Sequence, residues 1–158
     1  MVTIYLIRHG QAGTRKSWDG NDRERPLSER GEVQAEALVQ QLGNRPIKRI
    51  LSSPFPRCLQ TVTPLAKHVG LEVEADDRLA EGRPFLPVIE LVETLPDDSV
   101  LCSHGDLIPD VMDALVRRGL ETVGSHDGRK AARWEIERHD AGQPWIAHAE
   151  PPPDRDRL

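Results

Sequence analysis

Residues 2–10 have the sequence VTIYLIRHG, an apolar run that ends in Arg8-His9-Gly10. An almost wholly apolar run of this length predicts a central strand of a parallel sheet, covered on both faces. Residues 99–105, SVLCSHG, repeat the arrangement, with Ser103-His104-Gly105 after a second apolar run. Open α/β sheets bind ligands where their strands end. Two histidines at strand ends, one preceded by an arginine, therefore indicate phosphoryl transfer through a histidine nucleophile.

Strand-like and helix-like segments alternate along the chain, which predicts an α/β fold with a mostly parallel sheet. The predicted strands cover residues 2–7, 47–51, 71–75 and 100–102. The predicted helices cover residues 29–42, with Ser28 as N-cap, and residues 56–69, 84–95 and 106–118. Residues 132–137 and 145–149 predict two late strands, antiparallel and at an edge of the sheet.

The length of 158 residues suits one domain, which we expect to span residues 1–149. Residues 151–153 are three consecutive prolines followed by a charged sequence, and this composition predicts a disordered tail over residues 150–158. Residues 13–26 are polar and carry charges of both signs, which predicts a long loop over the mouth of the site.

Composition narrows the class of partner. The formal net charge is −5 and only 4% of residues are aromatic, which argues against a nucleic-acid polymer as a partner. No apolar segment approaches the ~20 residues that a membrane span requires, and the strand-like run at the N-terminus leaves no room for a signal peptide. We therefore expect a cytoplasmic protein that acts on a phosphorylated small molecule or a phosphorylated protein, away from membranes.

The two cysteines, Cys58 and Cys102, form neither a metal-binding pattern nor a disulfide framework. The simplest interpretation is a pair of reduced, partly buried thiols. A redox-sensitive pair stays open as an alternative, because each cysteine lies close in sequence to a suspected catalytic residue.

Residues 52–61, SSPFPRCLQT, again follow a predicted strand and open a predicted helix. A helix N-terminus attracts anions, and the guanidinium of Arg57 in the first turn adds donors matched to phosphate oxygens. The alternative is an ordinary surface arginine. Because Arg8 also lies beside a strand end, Arg8 and Arg57 together predict a phosphate site.

Glu81 is the best candidate proton donor, since it is the only carboxylate in the short segment LAEGRP at residues 79–84. That role requires partial burial of the carboxyl group. The alternative is a simple charge partner for the next helix N-terminus, and Asp76, Asp77 and Asp106 are rival donors.

Taken in order, Arg-His-Gly, Ser-Ser-Pro-x-x-Arg-Cys-x-Gln-Thr, a mid-chain Glu and Ser-His-Gly resemble the histidine phosphatase superfamily. The resemblance implies the phosphoglycerate mutase-like fold, a three-layer α/β/α sandwich. It also implies that His9 is the phosphorylated nucleophile, that Arg8, Arg57 and His104 hold the phosphoryl group, and that Glu81 is the general acid. No cofactor is implied. A metal site built from His9, His104, Asp106 and Glu81 is conceivable, but the arginines would oppose a cation.

Departures from the family pattern favour hydrolysis over mutase activity. Mutases resemble Arg-His-Gly-(Glu/Gln)-Ser-x-x-Asn, whereas this chain has Ala12 and Arg15 at the Ser and Asn positions. Mutases also carry a long insertion before the second histidine, while the interval from Glu81 to His104 has room only for one helix and one strand. A non-catalytic phosphate-binding module is a weaker alternative. Such a module is expected to have lost the histidine nucleophile, an arginine or the acid, and this chain keeps all five of these family residues.

Two short branches of the family compete. One is the SixA type, which acts on phosphohistidine in proteins, and the other resembles the phosphatase domain joined to Nudix hydrolases, which acts on nucleotide-type phosphates. Cationic side chains near the loop are candidates for contacts with additional phosphates, chiefly Arg15, Lys16 and Arg83. The alternative for these charges is a solvated loop, so the substrate stays open.

Overall fold

The computed structural model describes residues 1–154, which build a seven-stranded sheet with helices on both faces. The strands are β1 (Val2–Arg8), β2 (Arg49–Ser52), β3 (Val73–Ala75), β4 (Ser99–Ser103), β5 (Glu121–Val123), β6 (Arg133–Arg138) and β7 (Ile146–Glu150). Their order in the sheet is β3-β2-β4-β1-β6-β7-β5. The helices are α1 (Glu29–Leu42), α2 (Pro56–Val69), α3 (Leu86–Thr94) and α4 (Leu107–Arg117).

Two apolar cores, one on each face of the sheet, hold the helices in place. Alternation along β1 sends Tyr5 and Ile7 to the core under α1 and α2, and Ile4 and Leu6 to the core under α3 and α4. This three-layer α/β/α sandwich with a mostly parallel sheet is the predicted fold class, which is confirmed.

The parallel half of the sheet positions the site. Strands β1 and β2 both pair parallel with β4, with Arg8 opposite Ser103 and Ser52 opposite Cys102. The carboxyl ends of the three central strands therefore lie at the same edge. The residues that follow them, His9, Ser53 and His104, are brought together by this register alone.

The far side of the sheet differs from the prediction in one strand. The two predicted late strands are present and antiparallel: β6 pairs with β7 and also with β1. Strand β5, however, was not predicted, and its parallel pairing with β7 makes it the edge of the sheet. Its three residues are all exposed and so carry no apolar alternation that would have revealed them.

Part of the predicted disordered tail is ordered. Glu150 is the last residue of β7, and Pro152 and Asp154 are buried. The carboxylate of Asp154 accepts a hydrogen bond from the side chain of Gln34 at 3.1 Å and pairs with Arg30 at 3.4 Å. Residues 155–158 lie outside the described part of the chain. Within residues 1–154, no helix is long and apolar enough to cross a membrane.

Candidate active site

The two histidines predicted at strand ends face each other at the carboxyl edge of the sheet. The backbone N–H of His9 donates to the carbonyl of Ser103, and that of Ser53 donates to the carbonyl of Cys102, both at 3.0 Å. These bonds continue the sheet ladder one residue past the strands and fix where each side chain starts. The imidazole centroids of His9 and His104 lie 5.4 Å apart, in an edge-on arrangement.

His9 is held as a neutral imidazole with a free Nε2. Its Nδ1 lies 2.8 Å from the carbonyl oxygen of Gly10, and because a carbonyl only accepts, Nδ1 is the donor. Burial lowers the pKa of His9 to about 3, and the nearby charges of His104, Arg57 and Arg8 act in the same direction against the Gly10 hydrogen bond. The lone pair at Nε2 is therefore available as a nucleophile at neutral pH.

The turn after His9 is tied to both helices on its face of the sheet. The backbone N–H of Gly10 donates to the hydroxyl of Thr61 at 2.9 Å, and that hydroxyl donates to the carbonyl of Arg57 at 2.7 Å. On the other side, Gly31 of α1 lies against the backbone of Gln11 so closely that a Cβ there would come within 2.0 Å of the carbonyl oxygen. The position of His9 is thus locked by α1 and α2.

His104 is oriented through the opposite ring nitrogen. Its Nε2 lies 2.8 Å from the hydroxyl of Ser53 and 3.5 Å from the thiol of Cys58. Its Nδ1 is buried and has no hydrogen-bond partner among the described residues. A buried polar nitrogen without a partner is a candidate contact for a ligand oxygen. The ring of Phe55 packs edge-on against the imidazole, with centroids 4.6 Å apart.

Arg57 is the largest fully buried side chain of the described residues. Its Nη1 donates to the backbone carbonyl of Asp22 at 2.8 Å, and its Nη2 lies 3.4 Å from the carboxylate of Asp22 and 3.7 Å from that of Glu81. A buried cation is stable only when anions or acceptors surround it. Two loops supply these acceptors to Arg57.

The carboxylate of Asp22 sits among three arginines. It contacts Arg25 at 2.9 Å and Arg15 at 3.3 Å in addition to Arg57. Desolvation acts to raise the pKa of Asp22, but the hydrogen bond and charge of Arg25, with the charges of Arg57 and Arg15, outweigh it and lower that pKa. Asp22 is therefore a resident anion rather than a proton donor at neutral pH.

Glu81 has the partial burial that a proton donor requires, since 35% of its side chain is exposed. The turn that carries it is anchored by the N–H of Gly82, which donates to the carboxylate of Asp106 at 2.8 Å. Asp106 thus positions this turn. The carboxylate of Asp76 accepts two hydrogen bonds from the guanidinium of Arg78. Of the four predicted carboxylates, Glu81 is the one that contacts Arg57.

Arg8 lies behind the second histidine motif. Its guanidinium packs against Gly105, where a Cβ would come within 2.5 Å of the guanidinium carbon, so a side chain at that position would displace Arg8. Its Nη1 donates to the carbonyl of Gly128, while its Nε is buried with no partner in the described part of the chain. Burial lowers the pKa of Arg8, and the charge of Asp106 opposes this shift.

Of the three cationic residues predicted to contact substrate, the structure brings one to the site and leaves two away from it. Arg15 reaches the site, with its guanidinium 3.5 Å from Glu81. Lys16 and Arg83 are exposed, and neither forms a hydrogen bond or ion pair with the site residues described above. Among residues 1–154, no three His, Cys, Asp or Glu side chains come together in a way that would hold a metal ion.

Sequence reasoning missed several residues of the site. Ser53 and Thr61 belong to the quoted segment 52–61 and lie at its strand end and on one helix face, so their positions gave a usable signal. Asp22 gave none, because it is one of several charged residues in a polar loop.

The thiols of Cys58 and Cys102 are both fully buried, and that of Cys58 borders His104.

Comparisons with known proteins agree with this geometry. Residues 4–83 match the histidine phosphatase superfamily, branch 1. An 8-oxo-(d)GTP phosphatase of Mycolicibacterium smegmatis is 29% identical over 163 residues, covering 97% of this chain and 49% of the relative. The chain therefore spans about half the length of this curated relative, and about half of a phosphoserine phosphatase of Hydrogenobacter thermophilus that is 35% identical over 107 residues.

Solved structures show the same fold over nearly the whole chain. The protein histidine phosphatase SixA complexed with tungstate superposes with a TM-score of 0.74 at 20% identity, covering 98% of this chain and 99% of SixA. A mycobacterial glucosyl-3-phosphoglycerate phosphatase complexed with VO3 gives a TM-score of 0.70 at 22% identity, covering 94% and 97% of the two chains. Since the family match spans half of the sequence and the fold agrees, the chain belongs to the histidine phosphatase superfamily, branch 1.

Proposed function

We propose that the protein is a phosphatase that hydrolyses a phosphomonoester, a phosphoanhydride or a phosphohistidine through a covalent phosphohistidine on His9, without a metal ion. The observation that carries the proposal is the free Nε2 of a buried, neutral His9 that faces His104 beside the buried Arg57. Around that nitrogen the site offers cations and N–H donors, which is the environment a transferring phosphoryl group requires.

In the first step, Nε2 of His9 attacks the phosphorus atom as the bond from phosphorus to the leaving atom breaks. The leaving atom is an oxygen in a phosphomonoester or phosphoanhydride and an imidazole nitrogen in a phosphohistidine. The guanidinium of Arg57 and the Nδ1–H of His104 donate to the non-bridging oxygens, and Arg8 adds positive charge from behind Gly105. Glu81 gives its proton to the leaving atom. The products of this step are the alcohol, phosphate or imidazole leaving group and Nε2-phosphohistidine.

In the second step, water hydrolyses the phosphohistidine. Glu81, now ionised, accepts a proton from the water as its oxygen attacks phosphorus, and the bond from phosphorus to Nε2 breaks. The electron pair returns to Nε2, inorganic phosphate is released, and Glu81 is protonated again. The same carboxyl group therefore serves as acid and then as base.

A protein phosphohistidine phosphatase is the second candidate function. It is favoured by the superposition on the protein histidine phosphatase SixA, which covers 98% of this chain and 99% of SixA. A phosphoglycerate mutase is disfavoured, because the interval between Glu81 and His104 forms only α3 and β4. A nucleotide or other small phosphorylated molecule is the alternative substrate to a phosphoprotein.

The test is hydrolysis of p-nitrophenyl phosphate by the full chain, with and without EDTA. We expect activity that EDTA leaves intact, that His9→Ala abolishes, and that the matched control His68→Ala, an exposed histidine on α2, retains. Turnover by His9→Ala, or complete loss with EDTA, would contradict the mechanism. A panel of phosphohistidine proteins, nucleoside phosphates and sugar phosphates then separates the two candidate functions.

A further inference from the structure

A second group of cations lies beside the first histidine motif and shares Arg8 with the site described above. A cavity of about 300 Å³ is lined by four basic side chains, by two amides and by the carboxylate of Asp127. The basic side chains are Arg8, Arg30, Arg129 and Lys130, and the amides belong to Gln11 and Gln34. The loop before β6 and the start of α1 form its walls, and Pro152 of the ordered C-terminal segment closes one side.

Lys130 is fixed next to the nucleophile by the backbone. The N–H of the following residue, Ala131, donates to the carbonyls of both Arg8 and His9, at 3.1 and 3.0 Å. Ala131 is fully buried and has φ of 67°, a left-handed conformation that alanine seldom adopts. The surrounding structure therefore holds Lys130 in a defined place, adjacent to the peptide that carries His9.

Only part of the positive charge around this cavity is neutralised. Arg30 pairs with Asp154 at 3.4 Å, and Arg129 pairs with Asp127 at 2.6 Å. Arg8 and Lys130 form no ion pair with any residue in the described range 1–154. Burial lowers the pKa of Lys130, and the neighbouring charges of Arg8 and Arg25 lower it further, as expected for cations that lack a counter-ion.

We propose that this cavity is a second anion-binding site, which takes a further phosphate group of the substrate beyond the phosphoryl group transferred to His9. Arg8 and Lys130, the two cations without an ion pair in residues 1–154, match the two charges of a phosphate dianion, and the amide of Gln11 adds a donor. Arg8 connects the cavity to the catalytic centre, because it belongs to the first motif and also lines the cavity. The substrate class would be a phosphoanhydride or a bisphosphate.

This inference rests on the proposed function, since it presumes that phosphoryl transfer occurs at His9. The test compares inorganic pyrophosphate and inorganic phosphate as inhibitors of p-nitrophenyl phosphate hydrolysis by the wild type and by Lys130→Gln. We expect the inhibition constant for pyrophosphate to rise about tenfold in Lys130→Gln, as for loss of one charged hydrogen bond, while that for phosphate changes less than twofold. Because the ratio of the two inhibition constants is compared between the wild type and the variant, a general loss of activity leaves the comparison unchanged.

Lys67→Gln, an exposed lysine on α2, is the matched control and should leave both constants unchanged. Equal changes for the two inhibitors, or no change for either, would overturn the proposal. A second, non-competitive component of phosphate inhibition that Lys130→Gln removes would also overturn it, because the ligand would then be a free phosphate ion and not a group of the substrate.

Direct calorimetric titration of pyrophosphate onto the wild type and Lys130→Gln separates this inference from the proposed function. Binding needs no turnover, so about tenfold weaker binding to Lys130→Gln would support the second site even if the chain hydrolysed nothing. Equal binding to the two proteins would contradict it even if the phosphatase reaction were established.

Discussion

His9 and His104 follow neighbouring parallel strands, and both are buried. Each is followed in the sequence by a glycine, yet their rings are held through opposite nitrogens. Within residues 1–154, His9 commits Nδ1 to the carbonyl of Gly10 and leaves Nε2 free, whereas His104 commits Nε2 to Ser53 and leaves Nδ1 free. The tripeptides Arg-His-Gly and Ser-His-Gly do not encode this difference. Hydrogen-bond partners supplied by the fold suit the His9 ring to the proposed role of nucleophile and the His104 ring to the proposed role of donor to the phosphoryl oxygens.

The largest expected effect tests whether the two rings are unequal. In His9→Ala, we expect turnover to fall by about 10⁴-fold or more and no phosphate label to remain on the chain, because the nucleophile is gone. In His104→Ala, we expect a loss of about 10²–10³-fold, typical for removal of one charge-stabilising donor, with a labelled intermediate still formed. Rapid-quench labelling measures both quantities. Phosphate label on His9→Ala, or no phosphate label at all on His104→Ala, would contradict the unequal roles of the two rings.

If neither histidine protonates the leaving group, Glu81 has to do so. We expect Glu81→Gln to lower kcat by about 10²–10⁴-fold for an alkyl phosphate, whose leaving oxygen needs a proton. The loss should be clearly smaller for p-nitrophenyl phosphate, since nitrophenolate leaves without one. The kcat values of the two substrates in the same variant provide the measurement. Equal losses for both substrates would assign Glu81 a purely structural role.

The pKa of His9 makes a prediction about stability. That pKa is about 3 in the folded chain and ~6.5 in an unfolded chain, so between these values the unfolded state binds more protons. The free energy of unfolding should therefore decrease as pH falls below about 6.5, by about 2 kcal/mol at pH 5 from this residue alone. Urea unfolding of His9→Asn at pH 8 and pH 5 should lack this contribution, with His68→Asn as control. An unchanged pH dependence in His9→Asn would be evidence against a buried neutral imidazole.

The smallest effect concerns Asp22, the loop residue whose carboxylate pairs with Arg57. A phosphate group has to replace its carboxylate on Arg57, so we expect Asp22→Asn to lower the inhibition constant for inorganic phosphate by up to about tenfold. Asp19→Asn, an exposed acid on the same loop, is the matched control. Weaker phosphate binding by Asp22→Asn would show instead that Asp22 helps to order the site around its ligand.

Local patterns predicted the parts of the fold and site whose cause is local. Apolar runs predicted the central strands, and the motifs at their ends predicted His9, His104, Arg57 and Glu81, which the structure brings together. Strand β5 was missed because its pairing with β7 is non-local and its residues are exposed. Ordering of the tail through Asp154 was missed for a similar reason, since its partners Arg30 and Gln34 lie in the first helix.

The sequence by itself determined the fold class and the family, and its motifs predicted the five candidate site residues, because strand periodicity and strand-end chemistry are written in short contiguous stretches. Only the tertiary structure decided which histidine nitrogen is free, which carboxylates neutralise Arg57, and which cations lack a counter-ion within residues 1–154. Hydrogen bonds and ion pairs join residues far apart in the chain, such as Asp22 with Arg57 and Ser53 with His104. Those contacts depend on strand register and loop path, which no local stretch of sequence specifies.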